Sequence, residues 1–416
     1  MISSLDRLNR NTSASHSDAL EVLLWFGALM LRAGNTAIRT REWIEVVARK
    51  MGVDAVSISL SLDSITASVR RSGERATAVR EIGPPAINAS RIAELEQLAR
   101  KGPASAPHEI GARLAEIEST AHHYSSVQVA AAVGLASAAF AFLNGAAAIE
   151  MSAAAIGGGI GQWVRSWLSR RHLNQYGTAA LSAIAASGLY VMAAALARRA
   201  GFDFLHYPSG FIASVLFLIP GFPLLAALFD LLQHQTVAAV SRMAYGVMML
   251  LAVALGLSIV IAVAGVDITR QPSLELAYSV KVLLRAIASF VAACAFAMLF
   301  NTPVRTVLPV GLLAVAANGL RLILIDMGMM LAPAAFFAAF VVGLVALVID
   351  GRFNVPRMAM TVAPIVIMIP GIYAFEMIVL FNHGQMLDAL QASAACGFVV
   401  GALAMGLATA RFFSPR

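Results

Sequence analysis

The chain of 416 residues is 59% apolar and only 13% charged, and its formal net charge is +7. A soluble domain is ordinarily about 25% charged, whereas this chain has a mean hydropathy of +0.78, which excludes a wholly soluble protein. The charges are also unevenly distributed, because residues 1–125 hold 29 of the 53 Asp, Glu, Lys and Arg residues. The first part of the chain is therefore predicted to be soluble, and the remainder to lie in a lipid bilayer.

The positive charge favours a role in membrane orientation over the binding of nucleic acid. Residues 1–125 have a net charge of +1 and residues 126–416 have +6. The excess lies in short segments between apolar runs, where Lys and Arg determine which side of the membrane a loop occupies. We therefore expect no nucleic acid partner.

The cysteines and the N-terminus also limit the functional classes. Cys294 and Cys396 lie inside apolar runs, where cysteine behaves as a small apolar residue, so we expect no disulfide framework, metal site or other cofactor. Charged residues interrupt the N-terminus before the apolar core of a signal peptide could form. The N-terminal segment is therefore expected to stay in the cytoplasm.

Residues 1–125 have the pattern of a small α+β domain behind a short lead. Residues 1–16 are polar and rich in Ser and Asn, which predicts a disordered lead, and residues 17–125 form the predicted domain. Apolar residues recur at helical spacing over 18–51, with Gly34 and Asn35 between two helices. Alternation over 56–69 predicts two strands around a polar turn, and a weaker third strand follows around 76–79. Two further helices complete the predicted domain.

An enzymatic role for this domain was weighed against a regulatory or assembly role. Its nearest approach to a cluster of reactive side chains consists of His108, Glu109, His122 and His123. No metal-ligand spacing joins them, so the sequence favours the regulatory or assembly role and predicts that the protein is not an enzyme.

Ten apolar stretches follow, each near the roughly 20 residues that a bilayer requires. They divide into a first five-helix module (126–266), a linker (267–281) and a second five-helix module (282–416). With the N-terminus inside, nine arginines face the cytoplasm and six basic residues lie on or near the other side, which predicts a multi-pass protein of the inner membrane. The predicted spans are 127–143, 146–164, 178–197, 210–232, 240–265, 282–300, 304–325, 331–349, 358–381 and 393–410.

The two modules resemble one another. Leu218-Ile219-Pro220-Gly221 recurs 150 residues later as Met368-Ile369-Pro370-Gly371, and residues 139–143 resemble 295–299. Because each module has an odd number of spans, the second must enter the membrane in the opposite direction. The sequence therefore predicts a mainly α-helical membrane protein built from two inverted repeats, an architecture of secondary transporters.

Each Pro-Gly pair is predicted to break the fourth helix of its module. Proline has no N–H to donate and clashes with the preceding turn. A carbonyl group freed in hydrocarbon must be satisfied by protein or water, so such breaks tend to line a polar cavity. The alternative is a kink that serves only helix packing. The recurrence of the pair favours a substrate site.

Polar residues near the breaks are candidates for the transport pathway. Glu376 lies five residues beyond Gly371, where a carboxylate costs roughly 2.5–3.5 kcal/mol on insertion scales; we predict that it carries a proton or binds a substrate amine. Asp230 and His234 follow the first break, with a helix-terminating aspartate and a solvated histidine as the alternatives. Three other charged residues were interpreted as lying at helix ends: Glu150, Arg321 and Asp326.

These residues resemble the threonine/serine exporter family (ThrE) over nearly the full length of the chain. The resemblance rests on Leu31-Arg32-Ala33-Gly34, on the first Pro-Gly pair with Asp230, and on a second-module pattern that includes Pro364 and the second pair. It implies a cytoplasmic domain, ten membrane helices and export of small hydroxy amino acids driven by the proton motive force. A split form of the family is associated with dicarboxylate export. The resulting pathway candidates are Pro220, Gly221, Asp230, His234, Pro364, Pro370, Gly371 and Glu376.

Several functions remain open at this stage. The preferred interpretation is a proton-coupled exporter of threonine or serine, with the lipid bilayer, protons and a small amino acid or carboxylate as partners. The alternatives are a dicarboxylate exporter, an uncoupled channel, and a membrane-anchored enzyme or sensor that acts through the N-terminal domain. The sequence leaves the oligomeric state open, a homo-oligomer included.

Overall fold

The computed structural model describes residues 4–71, 73–101, 106–171, 173–202, 208–265, 276–353 and 357–413. The described residues are mainly helical and divide into two compact units. The first unit contains the residues up to His122 together with Phe229–Arg242, and the second contains His123–Leu228 and Met243–Arg416. Most of the predicted linker 267–281 lies outside the described residues.

The first unit combines helices with a small sheet. Its sheet is antiparallel with the order β1-β2-β3, and Leu60 pairs with Ile65 across the turn between the first two strands. The predicted two strands and the weaker third strand are thereby confirmed. The elements are α1 (Ser4–Arg32), α2 (Ala37–Lys50), β1 (Ala55–Leu60), β2 (Ser64–Arg71), β3 (Glu74–Glu81), α3 (Ala89–Lys101) and α4 (Pro107–Ser119).

One face of this sheet packs against α1. Alternate residues of β1 and β2 are buried on that face, as the period of two requires. Gly27 of α1 allows the close approach, because a Cβ atom built on it would come within 2.5 Å of Ile65 Cδ1 and 2.8 Å of Ile44 Cδ1. The core of the unit therefore lies between α1, α2 and the sheet.

The helix α1 begins at Ser4, inside the range 1–16 for which the composition predicts a disordered lead. Residues 4–26 contain neither Gly nor Pro, so no residue with a strong helix-breaking tendency separates the polar lead from the apolar part of α1.

The second unit is helical throughout its described residues. Residues 216–218 form a 3₁₀ turn between the eighth and ninth helices. The helices are α5 (Ser126–Leu143), α6 (Ala148–Ser169), α7 (Gln175–Arg199), α8 (Pro208–Val215), α9 (Gly221–Leu232), α10 (Thr236–Ala264), α11 (Tyr278–Leu299), α12 (Val304–Asp326), α13 (Leu331–Phe353), α14 (Arg357–Val366), α15 (Gly371–Asn382) and α16 (Met386–Arg411); the end of α9 and the start of α10 belong to the first unit.

Seven described helices are long and apolar enough to cross a membrane: α5, α7, α10, α11, α12, α13 and α16. Two bent pairs, α8 with α9 and α14 with α15, raise the count to nine if each pair is one span. The chain is therefore a multi-pass membrane protein. The remaining predicted span, 146–164, corresponds to α6, which is 22 residues long. Its lower hydropathy follows from Glu150, Gln162, Arg165 and a run of glycines.

The helices of the second unit repeat along the chain with constant offsets. The starts of α6 and α12 are 156 residues apart, and so are those of α7 and α13. The starts of α9 and α15, and of α10 and α16, are 150 residues apart. The turns agree as well: Gly145 and Asn301 both have positive φ angles after the first helix of each series, of 88° and 51°. The similarity of the two modules thus extends to their local backbone geometry.

Equivalent residues of the two series also touch. Phe140 of α5 and Phe296 of α11 are 156 positions apart, and their rings pack edge to face with centroids 5.7 Å apart. Gly256 of α10 approaches the Ala180 carbonyl of α7, and its equivalent Gly406 of α16 approaches the Phe336 carbonyl of α13. A contact between a residue and its own repeat equivalent is expected where two halves are related by a two-fold axis.

Candidate functional site

Both predicted breaks are present. The helical segments on either side of Pro220 differ in direction by 61°, and those on either side of Pro370 by 44°. At each break the glycine N–H donates to the carbonyl of the isoleucine two residues earlier, at 2.7 Å for Gly221 and 2.8 Å for Gly371. The regular i to i−4 pattern is therefore interrupted where proline supplies no N–H.

The two breaks pack against each other. A Cβ atom built on Gly221 would lie 2.7 Å from Ile369 Cδ1, and one built on Gly371 would lie 3.5 Å from Ile219 Cδ1 and would overlap Leu216. The isoleucine of each Ile-Pro-Gly segment thus rests on the glycine of the other. Such reciprocal contacts are the signature of a two-fold relation.

A cavity of about 350 Å³ lies beside the second break. Its wall is formed by the end of α5, by α8, by α12 and by the segment that leads into α15. Ile369, Pro370 and Gly371 form part of the wall, so the cavity borders the break itself. The polar side chains of the lining belong to Asn144, Ser209, Asn318, Arg321, Tyr373 and Glu376.

Arg321 is attached to the break by a hydrogen bond. Its Nη1 donates to the carbonyl oxygen of Met368 at 2.6 Å, while its Nε has no hydrogen-bond partner among the described residues. The interpretation of Arg321 as a charge at a helix end is therefore wrong, because a segment 47 residues further along the chain folds over that part of α12. A sequence signal was available: Arg165 precedes Arg321 by 156 residues, the offset of the repeat.

Asn318 lies one turn before Arg321 and is 1% exposed. Its Nδ2 donates to Ser289 Oγ at 2.8 Å, and its Oδ1 has no partner within the described part of the chain. A buried acceptor without a donor costs free energy, and this one belongs to a residue of the cavity wall. It is therefore available to a donor group on a ligand.

Glu376 and Tyr373 contribute to the same wall from α15. They are three residues apart, so they lie on one face of the helix. Of the predicted pathway residues, Pro370, Gly371 and Glu376 line the cavity, and Gly221 packs against the lining residue Ile369. Pro364 is buried within α14, outside the described lining.

Asp230 occupies a different environment, in the first unit. Its carboxylate is fully buried; Oδ2 lies 3.1 Å from Arg242 Nε, and Oδ1 accepts a hydrogen bond of 2.9 Å from the Ala37 N–H. Arg242 Nη2 in turn donates to the Asn35 carbonyl at 2.5 Å. Because Thr36, at the N-cap of α2, makes no side-chain cap, Asp230 caps this helix instead. Its role in a transport pathway stays a prediction.

The other charged candidates lie at helix ends. His234 is exposed in the turn between α9 and α10, with a φ angle of 59°. Glu150 accepts a hydrogen bond of 2.8 Å from the Ala147 N–H at the start of α6. Asp326 ends α12 and pairs with Arg285 at 2.6 Å. Among the described residues, no three His, Cys, Asp or Glu side chains come together as they would to hold a metal ion.

Comparison with known proteins identifies the family. The family model of the threonine/serine exporters, ThrE, matches residues 21–264, and a second threonine/serine exporter model, ThrE_2, matches residues 285–413. No solved structure matches the chain.

Two curated proteins are similar over parts of the chain. An uncharacterized protein of Haemophilus influenzae is 30% identical over 139 residues, which are 32% of this chain and 47% of that protein. The probable succinate transporter subunit YjjP of Escherichia coli K12 is 25% identical over 248 residues, which are 58% of this chain and 92% of that protein. Together the two family models cover most of both units, and the chain belongs to the threonine/serine exporter family.

Proposed function

We propose that the protein is a secondary exporter of threonine or serine, and that its substrate occupies the cavity beside Pro370 and Gly371. The observation that carries this proposal is the cavity of about 350 Å³ bordered by a broken helix, with Arg321 and Glu376 in its wall. This volume lies within the range of small-molecule sites. Broken helices with symmetry-related breaks commonly hold the substrate in secondary transporters.

The proposed architecture has ten spans in two inverted five-helix repeats, with α6 as a span in addition to the nine counted by length and hydropathy. Its support is the constant offset between equivalent helices and the reciprocal packing of Ile369 on Gly221 and Ile219 on Gly371. In this arrangement the turn between α9 and α10 is cytoplasmic, and the equivalent turn between α15 and α16 lies on the opposite side.

The proposed location is the inner membrane, with the N-terminal domain in the cytoplasm. The distribution of arginines supports this orientation, since positively charged loops are retained inside. The proposed driving force is the proton motive force, with Glu376 as the group that takes up and releases the proton. An ionisable side chain within a candidate membrane segment is commonly part of such a pathway.

Export of a dicarboxylate is the second candidate. It is favoured by Arg321, since a guanidinium is suited to bind carboxylates, and by the similarity to a protein described as a probable succinate transporter subunit. Glu376 in the same wall argues against it, because it would repel the second carboxylate of such a substrate.

Transport by the purified full-length protein in liposomes tests the proposal. Vesicles would be offered labelled threonine, serine or succinate, with and without an imposed pH gradient. We expect threonine and serine to accumulate above their external concentrations, and a protonophore to abolish this accumulation. Equilibration without accumulation would instead support an uncoupled channel, and accumulation of succinate alone would support the dicarboxylate exporter.

A further inference from the structure

Arg321 is a charged group in the cavity wall, within a helix that qualifies as a membrane span. It lies five residues before the end of α12. A guanidinium in such a segment is costly unless its N–H groups are satisfied, and groups of this kind generally mark a substrate or ion pathway. One hydrogen bond, from Nη1 to the Met368 carbonyl, holds the side chain against the break.

The remaining edge of the guanidinium suits a carboxylate. An arginine has five N–H donors, and the edge formed by Nε and Nη2 presents two of them in parallel. Nε has no hydrogen-bond partner among the described residues, although it is buried. A carboxylate bound to this edge would form two charge-assisted hydrogen bonds. Such binding would leave the bond from Nη1 to Met368 in place.

We propose that Arg321 binds the carboxylate of the transported substrate, and that Glu376 selects the group that the substrate carries at its other end. This inference rests on the proposed function, because it takes the cavity as the transport site. A cationic ammonium group is attracted by Glu376, and a second carboxylate is repelled. The pair therefore favours α-amino acids over dicarboxylates of similar size.

Asn318 provides the third point of recognition. Its Oδ1 is a buried acceptor without a donor in the described residues, and a hydroxyl group on the substrate would satisfy it. Sites with an unpaired polar group discriminate strongly against analogues that lack the matching group. The three side chains together correspond to the carboxylate, ammonium and hydroxyl groups of threonine or serine.

Ligand-induced shifts of the thermal unfolding midpoint of the purified full-length protein test this assignment without requiring transport. Each shift yields an apparent dissociation constant. The probes are threonine, threoninol (which has an alcohol in place of the carboxylate), 3-hydroxybutyrate (which lacks the ammonium group) and succinate. For the wild-type protein we expect threonine to bind at least about tenfold more tightly than threoninol, since a charge-assisted pair is lost.

The variants are compared by ratios of affinities, which do not depend on how much protein folds. In Arg321→Gln we expect the preference for threonine over threoninol to fall to about one. In Glu376→Gln we expect that preference to persist, while binding of 3-hydroxybutyrate and succinate relative to threonine rises about tenfold or more. Arg285→Lys is the control, because it changes an arginine of α11 outside the cavity wall and retains the charge that pairs with Asp326.

The outcomes separate the two levels of the argument. If the wild-type protein binds none of the four compounds, both the proposed function and this assignment fail. If it binds threonine but Arg321→Gln retains the full preference over threoninol, the assignment fails and the proposed function stands. The assignment of Glu376 is overturned if Glu376→Gln leaves the ratio of succinate to threonine unchanged. Equal effects in Arg285→Lys would show that the ratios report a general loss of structure.

Discussion

Ile369 lies directly against Gly221, so the residue before one Pro-Gly pair rests on the glycine of the other. A Cβ atom built on Gly221 would approach Ile369 Cδ1 to 2.7 Å, which is closer than real Cβ contacts come. The reciprocal contact between Ile219 and Gly371 is looser, at 3.5 Å, but Leu216 fills the remaining space there. Neither glycine can therefore accept a side chain unless its neighbours move.

This contact predicts the behaviour of a double mutant. Gly221→Ala should destabilise the packing of the two breaks by about 1–3 kcal/mol, as overpacking does in other cores, and should reduce transport. Ile369→Ala removes the obstructing atoms, so the double variant should recover more transport than Gly221→Ala alone. A double-mutant cycle on transport rate and on unfolding midpoint measures the coupling. Strictly additive effects would show that the two residues do not interact in the working protein.

The prolines can be tested separately from the glycines. Pro370→Ala restores an N–H at the break and permits a more regular helix, so we expect transport to fall strongly while the protein still inserts. Pro309 provides the matched control, since it lies inside the unbroken helix α12. Pro309→Ala should change transport little. If Pro370→Ala transports at the wild-type rate, the second break contributes to packing only.

The ion pair between Asp230 and Arg242 predicts a large stability effect. Asp230→Asn would leave the buried guanidinium of Arg242 without its charge partner, and breaking a buried pair in this way typically costs about 3–5 kcal/mol. Thermal unfolding of the purified protein measures the loss. Asp388→Asn is the control, since Asp388 is exposed near the start of α16, and it should have almost no effect.

A second substitution tests the cause of that loss. Adding Arg242→Met to Asp230→Asn removes the unpaired charge and should recover part of the lost stability. A protein that keeps its stability in Asp230→Asn but loses transport would support the pathway role predicted from the sequence.

The inverted repeat predicts that two equivalent turns lie on opposite sides of the membrane. Cys294 and Cys396 are first replaced by serine, and single cysteines are then introduced at His234 and at His383. His234 lies in the turn between α9 and α10, and His383 in the turn between α15 and α16. In intact cells, an impermeant thiol reagent should label the cysteine at 383 and not the one at 234. Labelling of both positions from the same side would contradict the inversion.

Local sequence patterns were sufficient for much of the fold. Alternating apolar residues predicted the strands because a strand has a period of two, and the Pro-Gly pairs predicted the breaks because proline lacks an N–H wherever it occurs. The positions of the long apolar helices followed from hydropathy, which is also a property of consecutive residues. The motif shared by residues 218–221 and 368–371 indicated the repeat before any contact was known.

The composition of the cavity wall was decided by tertiary structure. Glu376 was predicted because it stands alone within an apolar run close to a break, whereas Arg321 was misread because it stands near a helix end. Only the folding of the segment around Met368 onto α12 brings a backbone carbonyl to the guanidinium of Arg321. Asp230 shows the same limit, since its partners Ala37 and Arg242 lie 193 residues before it and 12 residues after it. Hydropathy and periodicity describe neighbours along the chain, but a charged group acquires its role from the groups that folding places around it.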